Sequence, residues 1–576
     1  MNFIADRKLR AFGRTVISRL AMAALLGALI MSSVPATAAE GDSPYFNFFH
    51  LEFPGALRDR VVIDLDGDGL KDLALLFSRS DQPDNFWLTT CLQSKAGGFA
   101  GNCSNTPLPA SARVFDIGEV DGKPGAELVI VTPEGVKMAS FAQGRFGPFK
   151  PALTIDTLLS GTKADRPLHL RSLWDIDGDG RAELIVPRLS GPQIYKYRDG
   201  GFQLFQTINS PALVTYRVGS LGDIMVTDDV NQFLRFRVYQ QRVTAHFTAP
   251  DVFIEDFNGD GRLDVITLVD NTLRVFLQGK EGRFPERPSL ELKRSILPPE
   301  EKGVGFAGEA MTFADLDGDG LGDIIMLKWG TSEERTRVDR YIYYGRPGLE
   351  YPEEPDQVIR SESVTIDFGI YDLNRNGKME IIIPFFHFAP AQALKVMTEN
   401  VLKIQYRVFI MQADGRYSQE PGKPFARVDR RIQVNYKIDL LGMIFDFKSM
   451  LEGNFRPLLS FGYDFNGNGY PDLIADSGDD KLNFYWGNED IEYSRRPDHT
   501  IDYETALDYD IVDLNGDGKA DVITYYDSRE RTRKKRDLAR MARDRGLGAG
   551  ADYELEQDSA LAAMPEGSRI KMLISR

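Results

Sequence analysis

Transition-metal ligands are scarce in this chain: two cysteines and five histidines in 576 residues. A zinc centre takes about four such ligands. Cys91 and Cys103 therefore do not make one, and His50, His169, His246, His387 and His499 show no H-x-x-H or H-E-x-x-H spacing. There is no G-x-S-x-G nucleophile elbow. An excess of positive charge is also missing. The formal net charge is −16, which excludes a nucleic-acid partner, because a phosphate-binding surface needs surplus Lys and Arg. Long apolar runs are absent as well. The longest, Leu20 to Met31, falls short of the roughly 20 residues that cross a bilayer.

What is there begins with an address. Arg7, Lys8, Arg10, Arg14 and Arg19 precede the apolar run, and Ala36-Thr37-Ala38 follows as an A-x-A cleavage signal. Residues 1–39 read as a signal peptide, with an uncleaved anchor as the alternative. The expected product is exported, to the periplasm, the cell surface or the medium, with no membrane span after cleavage. In such a compartment an even pair of cysteines is expected to bond, so Cys91–Cys103 is a candidate disulfide closing a short loop.

The dominant feature is a repeat. DLDGDGLKD starts at Asp64, DIDGDGRAE at Asp175, DFNGDGRLD at Asp256 and DLDGDGLGD at Asp315. DLNRNGKME follows at Asp372, DFNGNGYPD at Asp464 and DLNGDGKAD at Asp513, with an eroded copy, DIGEVDGKPGAE, at Asp116. The frame is D-h-[DN]-x-[DN]-G-x-x-[DE], h being apolar. Short apolar runs flank each copy, such as DVFIE before and VITLV after the Asp256 motif. Their β-branched, nearly continuous apolar character fits short buried strands. Each motif is then a tight loop inside a β-hairpin. Third and fourth strands usually follow, and four short antiparallel strands per unit make a propeller blade.

Starts are separated by 52, 59, 81, 59, 57, 92 and 49 residues. The 81-residue gap suggests an extra blade whose loop is lost (LVTYRV, DIMVTDD, QFLRFRVYQ). The 92-residue gap suggests one blade with insertions over 389–456; a further insertion is expected over 529–565. The fold class is all-β, a single propeller over 40–576 with eight four-stranded blades, within a range of seven to nine. The strand near Phe46 to Phe53 and the terminal RIKMLIS are expected to complete one final blade together.

The loop chemistry points to calcium. Positions 1, 3, 5 and 9 supply carboxylate or amide oxygens, and position 7 a backbone carbonyl; hard oxygen donors are what Ca²⁺ takes. Glycine at position 6 permits the sharp turn. Without a cation, so many neighbouring carboxylates repel. Candidate ligands are Asp64, Asp66, Asp68, Leu70 and Asp72; Asp175, Asp177, Asp179, Arg181 and Glu183; and Asp256, Asn258, Asp260, Arg262 and Asp264. The later loops offer Asp315, Asp317, Asp319, Leu321 and Asp323; Asp372, Asn374, Asn376, Lys378 and Glu380; Asp464, Asn466, Asn468, Tyr470 and Asp472; and Asp513, Asn515, Asp517, Lys519 and Asp521. An EF-hand is excluded, since position 12 holds Leu75, Val186, Thr267, Met326, Ile383, Ala475 or Thr524 where that motif needs Glu. The Asp372 and Asp464 loops carry only two carboxylates each and are expected to bind more weakly. Residues 1–39 carry five basic side chains and one acid, so the rest of the chain stands at −20. Up to about seven Ca²⁺ relieve most of that self-repulsion.

These units resemble the FG-GAP/VCBS repeats of the integrin α-subunit propeller and of many secreted bacterial proteins, over roughly Val61 to Tyr526. The resemblance implies a propeller with its calcium loop between the first two strands of a blade. It does not fix a function. The expected role is a binding or scaffold module for a protein or glycan partner, without catalysis. The alternative is a polysaccharide lyase or hydrolase on the propeller, and a third reading is a periplasmic assembly factor using 389–456 as its contact arm. The basic stretch Arg529 to Arg545 and the apolar stretch Ile438 to Leu451 are expected as a solvated insertion and a self-packed segment. Trp87, Trp174, Trp329 and Trp486 are expected in blade cores.

Overall fold

The computed structural model describes Ser43 to Arg576 apart from 80–81, 96–97, 100–102, 162–165, 221–240, 299–306, 333–334, 363–367, 386–400, 421–425, 438–458, 477–480, 504–505, 507 and 528–566. The signal-peptide segment, Arg529 to Arg545 and Ile438 to Leu451 lie outside the described residues.

The flanking apolar runs become strands and the acidic motifs become the turns between them. Blade 1 is Ala56–Ile63, Asp72–Arg79, Gln82–Cys91 and Cys103–Pro107; its loop at Asp64 joins the first two. Blade 2 is Val114–Gly118, Glu127–Thr132, Gly135–Ala142 and Lys150–Leu153, with Leu168–His169 added in parallel to its first strand. Blade 3 is Leu173–Trp174, Glu183–Val186, Gln193–Arg198 and Gly201–Thr207. Blades 4 and 5 start at Asp251–Glu255 and Gly308–Ala314, and blades 6 and 7 at Gly369–Tyr371 and Leu459–Tyr463. Blade 8 is Asp508–Val512, Asp521–Asp527, Gly567–Ser575 and, as its outermost strand, Phe46–Pro54. The last pairing runs in register from Phe46↔Ser575 to Pro54↔Gly567. Both ends of the described chain thus share one sheet, as the sequence led us to expect.

Eight apolar clusters fill the seams, one between each successive pair of blades. Leu65, Leu76 and Leu88 meet Phe115, Leu128 and Ile130 between blades 1 and 2. The series ends where Leu73, Leu75 and Phe77 meet Ile523, Ile570 and Met572 between blades 8 and 1. The ring is closed and has eight blades. Second strands are buried on both faces, as in Glu127–Thr132 and Asp472–Asp476, which explains their unbroken apolar runs. All four tryptophans pack against these seams: Trp87 between blades 8 and 1, Trp174 between 3 and 4, Trp329 between 5 and 6, and Trp486 between 7 and 8.

Two details correct the sequence reading. In the 81-residue gap the described residues form no blade but a two-stranded hairpin, Leu213–Ser220 with Gln241–Thr248. Its alternation of apolar residues mimics a blade strand, yet Tyr216, Val243 and Phe247 are exposed. In blade 2 the nine-residue frame begins at Glu119, not Asp116, and contains no insertion. Asp116 lies in the first strand, where it accepts from the Ser172 and Leu173 amides and bonds His169.

Candidate metal-binding loops

Each acidic loop is curled by its own side chains. In six of the eight loops the position 1 carboxylate accepts two backbone N–H groups: Asp64 takes Gly67 at 2.7 Å and Gly69 at 2.9 Å, and Asp315 takes Gly318 and Gly320 at 2.8 and 3.0 Å. The position 3 side chain accepts the amide of position 5, as Asp66 does from Asp68 and Asn466 from Asn468. These are Asx-turns. Position 4 takes a positive φ; it is glycine in seven loops and Arg375, at φ +57°, in the Asp372 loop. Gly318 has φ +75°, and a Cβ there would lie 2.3 Å from the Gly377 carbonyl of the next loop.

Position 9 does something the sequence did not disclose. In all eight loops one oxygen of this buried carboxylate accepts the position 2 amide: Leu65 to Asp72, Val120 to Glu127, Ile176 to Glu183 and Phe257 to Asp264. The remaining four are Leu316 to Asp323, Leu373 to Glu380, Phe465 to Asp472 and Leu514 to Asp521. Where position 9 is Asp, its second oxygen accepts an amide from the end of the third strand or just beyond it: Gln93, Gln278, Gly345, Gly487 or Ser575. The carboxylate therefore pins the loop to its own blade. Burial pushes Asp72, Asp264 and Asp521 up to about 6, and Glu183, Asp323, Glu380 and Asp472 up to about 7. Neighbouring acids add to this and the amide bonds oppose it.

The loops also bond to one another. The Ala126 amide at position 8 of blade 2 donates to the Leu65 carbonyl of blade 1 (3.0 Å), and Met379 likewise to Leu316 (2.8 Å). Lys71 closes the circle onto Leu514 at 3.1 Å. Blade 7 has Pro471 at this place, which has no N–H to give.

Four loops bring oxygens of three acids within 4.8 Å of one another: Asp64, Asp66 and Asp72; Glu119, Asp121 and Glu127; Asp175, Asp177 and Glu183; Asp315, Asp317 and Asp323. These are positions 1, 3 and 9. Position 5 stands apart; Asp68 and Asp319 accept the position 7 amide, and Asp179 pairs with Arg181 at 2.7 Å. In the loops at Asp256, Asp372, Asp464 and Asp513 position 3 is Asn, so the triad of positions 1, 3 and 9 has only two acids there. Three buried carboxylate oxygens in these loops have no hydrogen-bond donor: Asp175 Oδ1, Asp177 Oδ1 and Glu380 Oε1. An all-oxygen donor set with unpartnered buried anionic oxygens fits a hard divalent cation. The Glu119 triad escaped the sequence reading because Glu stands at position 1 and Lys123 at position 5.

Cys91 and Cys103 face each other across the third and fourth strands of blade 1 and are bonded, S–S 2.01 Å. Among the described residues no helix is long and apolar enough to cross a membrane.

Residues 256–326 match the family described as FG-GAP-like repeat. The match runs from the blade 4 loop through the blade 5 loop and, with the eight-bladed ring, supports a propeller of FG-GAP repeats. No curated protein matches the sequence. Among solved structures, the chain is similar to an Agrocybe aegerita lectin that recognises non-reducing terminal N-acetylglucosamine (15% identity, 77% of this chain and 91% of that one, TM-score 0.37). It is also similar to the V. cholerae biofilm matrix protein Bap1 (11% identity, 82% and 85%, TM-score 0.28). A third is the WD40 domain of SCAP from fission yeast (10% identity, 69% and 91%, TM-score 0.25). At these scores none of the three bears on what this chain binds.

Proposed function

We propose that this protein is an exported calcium-binding β-propeller that serves as a rigid binding or scaffold module for a protein or glycan partner. The observation that carries the calcium reading is the recurrent triad of positions 1, 3 and 9, built from oxygen donors alone. Calcium in such a loop neutralises carboxylates that burial and mutual repulsion otherwise hold towards their protonated forms. Its role is structural: it fixes the hairpins whose neighbours form the interlocked belt. Export is supported by the N-terminal basic–apolar–A-x-A pattern and by the Cys91–Cys103 bond. The ligands are Asp64, Asp66 and Asp72 in blade 1 and their equivalents in the other loops, with position 5 side chains and position 7 carbonyls completing the shell.

Purified protein dialysed against calcium and then buffer is expected to retain several ions per chain by elemental analysis. Its melting temperature is expected to fall in chelator. Pull-down with and without chelator, read by mass spectrometry, tests the partner. Absence of retained metal together with an unchanged melt in EDTA defeats the calcium reading.

A further inference from the structure

By sequence, the Asp175 loop ranks among the strongest metal sites, with Asp175, Asp177, Asp179 and Glu183. In the Glu119 loop an exposed Lys123 pairs with Asp121 alone; in the Asp175 loop a largely buried lysine reaches two acids of the triad at once. Lys196, on the third strand of the same blade, places its ammonium against Asp177 Oδ2 and 3.4 Å from Glu183 Oε1. Those are two of the three acids in the triad. The Lys196 side chain is largely buried and lies against the Phe205 ring, 4.7 Å from its centroid; Arg283 also lies on that ring. A cation held between a ring and two carboxylates is fixed in place.

The effect on the loop is visible. In the other seven loops the position 3 oxygen accepts the position 5 amide. In this loop Asp177 Oδ1 has no partner, and Asp175 Oδ1 has none either. Glu183 Oε1 meets Lys196 where the Asp-bearing loops use a backbone amide. Asp177 has been drawn out of its Asx-turn towards the lysine.

We infer that Lys196 is a tethered counter-ion that stands in for the metal in blade 3, so this loop keeps its shape without calcium and loads last among the loops with three converging acids. A divalent ion entering the triad must displace an ammonium already bound to two of its acids, Asp177 and Glu183. This rests on the calcium reading for its second half only; the metal-free half stands by itself.

Hydrogen exchange of the full chain, followed by mass spectrometry over 175–183 and 315–323, tests both halves. In EDTA the 175–183 segment is expected to exchange at least tenfold more slowly in wild type than in Lys196→Met, which keeps the packing on Phe205, with 315–323 unchanged between the two as the control. Lys196→Arg is expected to preserve the protection. On titration with calcium, the protection midpoint of 175–183 is expected at least tenfold above that of 315–323 in wild type and to fall to it in Lys196→Met. Exchange of 175–183 in EDTA that Lys196→Met leaves unchanged overturns the inference. If neither segment responds to calcium, the calcium reading fails, while the EDTA comparison still decides the role of Lys196.

Discussion

Replacing Asp323 with alanine in metal-free protein is expected to cost stability at pH 5 and almost none at pH 8. Asp323 is fully buried and accepts the Leu316 and Gly345 amides, both at 2.8 Å. Alanine leaves two buried N–H groups without acceptors, at about 1–3 kcal/mol each, so roughly 2–6 kcal/mol in all. Against this, burial raises the Asp323 carboxyl from 3.8 to about 7. Its contribution is fully present below the unfolded value and is lost as pH climbs through the folded one. Over that window the wild type loses on the order of 4 kcal/mol that the alanine variant does not lose. About 1.5 kcal/mol of this is already lost at pH 5, which lies above the unfolded value, so the deficit of Asp323→Ala should shrink by about 2.5–3 kcal/mol between pH 5 and pH 8. Asp315→Ala is the control: it also removes two amide bonds, but an exposed and a part-buried one that water can replace, so about 1 kcal/mol at either pH. Urea midpoints in EDTA at the two pH values measure this. Equal losses for both variants at pH 5, or an Asp323→Ala deficit that does not shrink, would refute the pinning role of position 9.

For the whole protein, the same raised carboxyls make calcium's stabilisation grow with pH. The gap in melting temperature between calcium and EDTA is expected to be small at pH 5 and to widen by pH 8. Arg60 bonds Asp510 through two nitrogens (2.7 and 3.0 Å) and Asp508 at 2.8 Å, joining blade 1 to blade 8. Arg60→Ala is expected to cost about 1–2 kcal/mol in urea unfolding, because Asp510 loses its partner while partly buried and water replaces the bond to the exposed Asp508. Gly318→Ala forces a Cβ into the neighbouring loop at positive φ and is expected to lower stability by about 1–3 kcal/mol. Cys91→Ser with Cys103→Ser is expected to lose about 2–4 kcal/mol, read as a lower melting temperature under oxidising conditions.

The hairpin frame, the eight-bladed ring and its closing strand were legible because each motif is local and carries its own flanks. The period-2 and buried-run patterns then repeat often enough to register. The Glu119 loop was obscured because Glu119 and Lys123 break the letter pattern while preserving the nine-residue geometry. The 213–248 hairpin was misread because apolar alternation in Val214, Tyr216 and Phe247 does not reveal whether a face is covered. Position 9 looked like one ligand among several; its bond to the position 2 amide is local, but that to Gly345 spans 22 residues and depends on the blade. Lys196 gave no signal at all, since a lysine 13 residues beyond Glu183 acquires meaning only when the third strand folds back.

The pairing of Phe46–Pro54 with Gly567–Ser575 sets the order of events when this chain folds. The first strand of the described residues has its partner more than 500 residues later in the chain, so until that partner is made it presents an open β-edge, the kind of surface on which chains stick together. Such high contact order makes the last step slow. Once made, the clasp forbids unravelling from either terminus: peeling must begin by breaking the blade that holds both.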